Sequence, residues 1–280
     1  GIHILPPDEG EMACGEWGPG RLPDPAVIAG EIHRLLADAP ARADAAHLLT
    51  DTTRTIIAPD LSGANLYGRH VLVTAGPTHE PIDPVRYIAN RSSGRQGFAI
   101  ARAAAQAGAR VTLVSGPVEL PTPRGVTRVD VETAREMLAA VEAALPADVA
   151  IMVAAVADWR VATEAEQKLK KDGSGAPAPL TLAENPDILA TLAISEKRPP
   201  LLIGFAAETE NVIAHAQAKL ARKGCDMIVA NDVSGDVMGG AHNRVHLVTA
   251  EGVESWDDLP KDMVANRLVE RIASRLQQQA

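Results

Sequence analysis

Residues 71–117, VLVTAGPTHEPIDPVRYIANRSSGRQGFAIARAAAQAGARVTLVSGP, constrain what this chain can fold into more than any other stretch. Val71-Leu72-Val73 is a short apolar run ending at Thr74-Ala75-Gly76, the pattern of a buried strand feeding a turn. From about Gly94 the run FAIARAAAQAGA has high helix propensity and stops at Gly108. Residues 110–115 are rich in β-branched side chains and read as a second strand. Strand, loop, helix and strand make a βαβ unit, whose crossover is expected to be right-handed. The loop before the helix takes roughly twenty residues, more than an ordinary βα connection, and loops of that length are usually functional.

That loop is expected outside the carboxyl end of a strand, where open α/β sheets bind ligands. Arg86, Asn90, Arg91, Ser92, Ser93 and Gly94 lead straight into the helix. Free backbone N–H groups at a helix start, with hydroxyls and guanidinium groups beside them, suit an anion. Either serine taken alone reads better as a helix cap. The density of polar groups favours a bound phosphate or carboxylate. The chain has no G-x-G-x-x-G and no Walker P-loop, which disfavours an ordinary dinucleotide fold.

A length of 280 residues allows one large domain, or one domain with appendages. The core must be aliphatic, because hydrophobic residues make up 46% of the chain and aromatics only 2%. A formal net charge of −9 argues against nucleic acid or an anionic membrane as the main partner. No apolar run is long enough to span a bilayer and no signal-peptide pattern is present, so the expectation is a soluble, cytoplasmic protein. Cys14 and Cys225 stand far apart without a C-x-x-C, which indicates neither zinc nor a disulfide framework. Because Gly1 is not a methionine, the chain is expected to be a fragment or a processed form.

Residues 12–21 are punctuated by glycine and proline and read as a loop, followed by a helix over 26–37 and a linker. Such a segment is too short to bury a core of its own. Further on, a strand at 127–131 meets Thr133-Ala-Arg-Glu136, a capping box opening a helix that ends near Leu145. Residues 148–153 read as a buried strand, followed by the small-residue turn Ala154-Ala155-Val156-Ala157-Asp158. There backbone can approach a ligand, and Asp158 can bind a ribose, a base or a metal with phosphates, or merely cap the turn. Lys168-Leu-Lys-Lys171 precedes a glycine-containing loop and reads as a basic lid, or as a solvated face. Asn185-Pro186-Asp187-Ile188 opens the next helix, with Asn185 or Asp187 near its start. A strand over 201–204 is expected to end in the loop Phe205-Ala-Ala-Glu-Thr209, and Phe205 suits a pocket wall or the core. Lys219 and Lys223, at i and i+4, share one face of a helix beginning near Val212. Residues 226–230 are a strand ending in 231–234. A hairpin spans 246–256, and a last helix spans 261–279. Strand ends at 74–94, 154–171, 205–209 and 231–234 thus all run into polar, small-residue loops. That pattern indicates a single α/β sheet with its site along one edge.

These motifs carry a resemblance. TAGPTHEPIDPVRYIANRSSGRQG is similar to the signature loop of bacterial phosphopantothenate–cysteine ligases, the second half of a fused coenzyme A biosynthesis flavoprotein. AAVADWR with KLKK, NPDI and GFAAET resemble further motifs of the same family, with Trp159 replacing a usual tyrosine. ACGEWGPGR, around Cys14, is similar to the closing flap of the preceding decarboxylase domain. The resemblance covers about residues 66–278. It implies an α/β fold: a three-layer, mostly parallel Rossmann-like sheet with helices on both faces and a small antiparallel hairpin. It divides the chain into a decarboxylase remnant (1–37), a linker (38–65) and a ligase domain (66–280).

For function, the resemblance implies joining of phosphopantothenate to cysteine with CTP through an acyl-cytidylate, with Mg2+ on the triphosphate. Lys168, Asn90 and Arg86 take catalytic roles in it. Asp158, Lys168, Asn185, Pro186, Asp187, Ile188, Phe205, Lys219, Lys223, Ser92, Gly94 and Ala155 bind CTP. Cys14 matches the decarboxylase proton donor. It is expected to be inactive here, because FMN belongs to a preceding domain. Family members are homodimers that share parts of each site. Two rivals are a nucleotide-binding regulatory module, which would not need both Lys168 and Asn90, and a dehydrogenase, which the missing glycine fingerprint disfavours.

Overall fold

A computed structural model describes residues 8–11, 17–21, 27, 64–170, 179–232 and 242–278. The chain forms two compact units, Gly1–Ala58 and Pro59–Ala280. In the first unit, β1 (Asp8–Glu11) and β2 (Trp17–Arg21) pair antiparallel, with Glu9 opposite Pro19. The loop expected over 12–21 is therefore a strand from Trp17 onward. A two-stranded ribbon has only edges, which is where a proline lacking its N–H is tolerated. Cys14 lies outside the described residues, as does the helix expected over 26–37 apart from Val27, which is helical.

The second unit begins with β3 (His70–Ala75), β4 (His79–Asp83), β5 (Arg86–Ala89), α1 (Arg95–Gln106), β6 (Arg110–Ser115) and β7 (Val126–Asp130). It continues with α2 (Ala134–Ala143), β8 (Val149–Met152), β9 (Trp159–Val161), β10 (Leu182–Glu184) and α3 (Ile188–Ala193). β11 (Leu201–Glu208), α4 (Val212–Lys223), β12 (Met227–Asp232), β13 (His242–Thr249), β14 (Gly252–Pro260) and α5 (Lys261–Gln278) complete it. One eight-stranded sheet has the order β14-β13-β12-β11-β8-β3-β6-β7. β12 through β7 run parallel, and β13 and β14 add an antiparallel hairpin at one edge.

Strand alternation sorts the core into two faces. Val71 and Val73 pack with Ile100, Ala104, Leu268 and Ile272 on the side of α1 and α5. Leu72 packs with Met137, Leu189 and Ile228 on the side of α2, α3 and α4. Helices therefore cover both faces of a mostly parallel sheet, as expected from the sequence. Few aromatics are needed because alanines on α1 let it lie close to its neighbours. Gly97 is the extreme case, since a Cβ there would sit 2.5 Å from the Ala75 side chain.

From β3 the chain steps outward to β6 and β7, whereas β8 lies on the other side of β3 and leads to β11 and β12. The order reverses between β3 and β8, and the loops leaving those two strands diverge around a crevice, where open α/β sheets bind ligands. Ala155 N–H donates to Gly76 O at 2.9 Å and closes the floor of that crevice.

Four expected loops are partly strand. The long loop after β3 contains the β4–β5 hairpin, and the stretch after β8 contains β9, which pairs with β10. β11 continues through Phe205–Glu208 because β12 runs beside it, with Ala206 opposite Ala230 and Glu208 opposite Asp232. For the same reason Asn231 and Asp232 belong to β12. No helix among the described residues is long and apolar enough to cross a membrane.

Candidate active site

A cavity of about 1060 Å³ opens along the carboxyl edge of the sheet at the β3/β8 reversal. Of the sequence candidates, Asn90, Ser92, Gly94, Ala155 and Asp158 line it on the loops after β3 and β8. Asn185, Pro186, Asp187, Ile188, Phe205, Lys219 and Lys223 line it from α3, β11 and α4. Arg86 and Lys168 are not among its walls.

Gly94 is the residue that opens α1, and it does so at φ 71, a left-handed conformation that suits glycine. No side chain caps this helix, and its first turn holds no acidic residue. Neither serine takes the capping role considered from the sequence: Ser92 Oγ instead accepts from Gly94 N–H at 3.3 Å. The first-turn amides and the positive end of the helix dipole therefore face a wall of the cavity with no built-in anion.

Two threonines the sequence reading passed over hold the opposite loop. Thr74 Oγ1 accepts from the N–H groups of Val153 and Ala154 at 3.1 and 3.2 Å, and Thr78 Oγ1 accepts from Ala157 N–H at 3.0 Å. Both side chains are buried, so these bonds form in a dry, low-dielectric setting. Asn90 Nδ2 donates to Val156 O at 2.9 Å and ties the same two loops together near their exposed rim. Asn185 continues the clamp: its N–H donates to Asp158 O and its Nδ2 to Ala157 O, both at 2.9 Å. Asn185 thus braces the turn bearing Asp158, while Asp187 is the cap of α3, its carboxylate accepting from Ala190 N–H.

On α4, Lys223 pairs with Asp187 and Lys219 Nζ donates to Phe205 O at 2.8 Å. Burial pushes the Lys219 ammonium below its ordinary value, because the charged form loses solvent. An incoming anion would restore that lost stabilisation. Cys225, beneath α4, is buried and burial pushes its thiol up, which makes it a packing residue rather than a nucleophile.

Arg86 and Lys168 are brought together elsewhere. Asp83, buried in the hairpin, accepts from Arg86 Nε and from the N–H groups of Val85, Arg86 and Leu169. The Arg86 guanidinium holds the Asp83 carboxyl well below the usual carboxylate range. Arg86 also donates to Leu169 O at 3.1 Å, so the strap carrying exposed Lys168 is pinned to the hairpin. The hairpin is itself anchored, because buried Glu80 accepts from Ala134 N–H at the start of α2. Thr133 and Glu136 form the expected capping box there.

Residues 66–276 match the family model described as the DNA/pantothenate metabolism flavoprotein C-terminal domain. The chain belongs to that family. It is 43% identical over 279 residues to the coenzyme A biosynthesis bifunctional protein CoaBC of Escherichia coli, covering 98% of this chain and 63% of that protein. The protein of the same name from Vibrio cholerae is 43% identical over 273 residues, covering 96% of this chain and 62% of that protein. The chain therefore spans less than two thirds of the length of these relatives. A crystal structure of the C-terminal domain of coenzyme A biosynthesis bifunctional protein CoaBC superposes with a TM-score of 0.65 at 41% identity. That match covers 76% of this chain and 98% of the other.

Proposed function

We infer that this chain is a CTP-dependent phosphopantothenate–cysteine ligase. A carboxylate oxygen of phosphopantothenate attacks the α-phosphorus of CTP, giving an acyl-cytidylate and pyrophosphate. The cysteine amine then attacks the acyl carbon, loses a proton, and CMP leaves with the bonding electron pair. One observation carries the reading: a single cavity joins an uncapped helix start on one side of the sheet edge to two lysines on the other. That arrangement suits two anionic partners held at once, and the relatives named for coenzyme A biosynthesis point the same way.

In this reading Lys219, Lys223, Phe205 and the Asn185–Ile188 turn hold the nucleotide with Asp158, Ala155, Ser92 and Gly94. Asn90 attends the activated carbonyl. Lys168 closes over the phosphates, and Arg86 takes the substrate's own phosphate. Since neither Arg86 nor Lys168 lines the cavity, they reach it through movement of the strap or from a partner's hairpin in a homodimer. Exposed Val85 and Tyr87 leave that hairpin free to pair. Among the described residues no three His, Cys, Asp or Glu side chains gather into a metal site. Magnesium held mainly by phosphates needs only one or two carboxylates, and the exposed Asp158 and Glu184 fit that need. Such an ion would neutralise triphosphate charge. The proposal keeps 66–280 as the ligase domain and residues 1–37, with Cys14, as the end of a flavin-dependent decarboxylase.

Pyrophosphate release tests the reading. Phosphopantothenate and cysteine should drive it with CTP at least tenfold faster than with ATP, since a site built to hydrogen-bond one base rejects another, roughly by that factor or more. NAD should give none. Equal rates with CTP and ATP would remove the base assignment, and no release with either would remove the ligase.

A further inference from the structure

The cavity has a second polar wall that none of the assignments above uses. Gln96, in the first turn of α1, donates from Nε2 to the backbone carbonyl of Lys261 at 3.2 Å. Its Oε1 accepts from Asn243 Nδ2 at 2.9 Å. A carbonyl oxygen only accepts, so Lys261 O dictates which end of the Gln96 carboxamide faces it. The oxygen of Gln96 is then left for Asn243, which must present its NH2 group. Asn243 Oδ1 is consequently turned away from Gln96. This relay sets the orientation of Asn243 from a group that cannot flip.

Asn243 is only 3% exposed and lines the cavity, and its Oδ1 has no hydrogen-bond partner among the described residues. Asn231 Oδ1, on the neighbouring strand, is likewise buried, unpartnered and part of the same wall. Buried acceptors are rarely left unsatisfied, because the desolvation cost has no return. Asn231 lies two residues beyond Val229, which packs on the α1/α5 face, and Gln96 belongs to α1 itself. Lys219 and Lys223 project from α4, which packs on the other face through Ala216. The asparagine wall therefore lies on the α1 and α5 side with Lys261, across the cavity from Lys219 and Lys223. At the two carboxamide oxygens themselves, a neutral acceptor repels a phosphate oxygen and takes an O–H or N–H donor.

We propose that Asn243, oriented by Gln96, is a specificity residue for the non-nucleotide substrates, its Oδ1 accepting a hydrogen bond from a hydroxyl, amide or amine donor. This rests on the ligase reading of the same cavity. The donor belongs either to the hydroxy-amide chain of the acid or to the amine of the amino acid. Steady-state pyrophosphate release, with each of the three substrates varied in turn, separates these sources.

In Asn243→Leu the KM for the acid or for the amine should rise about tenfold or more, with the KM for CTP within about twofold. Gln96→Leu, which frees the carboxamide of Asn243 to turn, should move the same KM in the same direction by less. Calorimetric CTP binding checks that each variant is folded. If the leucine variant at 243 does not fold, Gln96→Leu and Asn243→Ser carry the measurement. Unchanged KM for both acid and amine in a folded variant, or a rise confined to CTP, overturns the assignment. A wild-type chain that releases no pyrophosphate from any nucleotide overturns the ligase reading and this proposal with it.

Discussion

The chemistry of this site is set by a few side chains whose partners differ from what their sequence neighbours suggest. Lys219 has lost solvent and donates to a backbone carbonyl, so folding penalises its charged form. Its pKa therefore lies below the ordinary 10.5. The sign follows: the folded state binds this proton less tightly than the unfolded one, so stability rises with pH between the lowered value and 10.5. Nucleotide affinity should run the other way, falling as the ammonium deprotonates in the same window. Calorimetry across that range should reveal proton uptake on CTP binding, and Lys219→Met should abolish the uptake and weaken binding by roughly 10- to 100-fold, the worth of a charged hydrogen bond. A pH-independent affinity in the wild type would mean that Lys219 does not meet the phosphates. Lysine type and spacing made this residue legible in the sequence. Thr74, Thr78, Gln96 and Asn243 were not, because each acts on a backbone or side-chain group that only the folded sheet brings near. The quoted stretch TAGPTHE contains both threonines, yet nothing local says which amides they satisfy.

At the level of elements, β3, α1, β6 and the capping box of α2 could be read directly, because apolar runs, alanine content and cap chemistry are local signals. The missed strands β4, β5, β9 and β10 are only 3 to 5 residues long, too short for an alternation to stand out, and β9 pairs with β10 across an intervening segment, so their pairing is decided by tertiary context. The start of α1 is the element on which the anion site depends, and Gly97 sets how near it lies to β3. Gly97→Ala places a methyl 2.5 Å from the Ala75 side chain and 3.1 Å from Thr74 O, against backbone that cannot turn aside. Overpacking of this kind costs about 1–3 kcal/mol, to be read as a lower urea midpoint. It should also weaken nucleotide binding, because the first-turn amides move with the helix. Thr133→Ala supplies the control. Losing that cap costs about 1 kcal/mol on α2, outside the cavity lining, and should leave binding unchanged. Equal binding defects in the two variants would mean that the Gly97 effect is general destabilisation.

Across the whole molecule, the strand order places the cavity between two loops that leave neighbouring strands in opposite directions, and the reaction must be shared between them. The expectation of one main α/β sheet held, and the cavity opens along the edge where the polar strand ends recur. The distance of Arg86 and Lys168 from the cavity wall was not legible, because it depends on Asp83 drawing the hairpin and the strap together. Asn90 joins the two loops at their exposed rim through its bond to Val156 O, beyond the buried tie that Thr78 makes to Ala157 N–H. One Nδ2 hydrogen is committed there, which leaves a second donor and the Oδ1 acceptor for a substrate. Asn90→Asp sets a carboxylate against the Val156 carbonyl oxygen and adds negative charge beside an anionic intermediate. The proposed CTP contacts on α3 and α4 are untouched by this change, so binding and activation should persist while aminolysis slows by roughly 100-fold, the scale of a small misplacement. A quenched single turnover resolved by mass should then contain pyrophosphate and accumulated acyl-cytidylate even with cysteine present. Asn90→Ser separates the two causes: it breaks the tie to Val156 without adding charge, and should accumulate less intermediate than the aspartate variant. If both variants bind CTP yet form no intermediate, the tie between the loops serves activation, and Asn90 acts before the amine arrives.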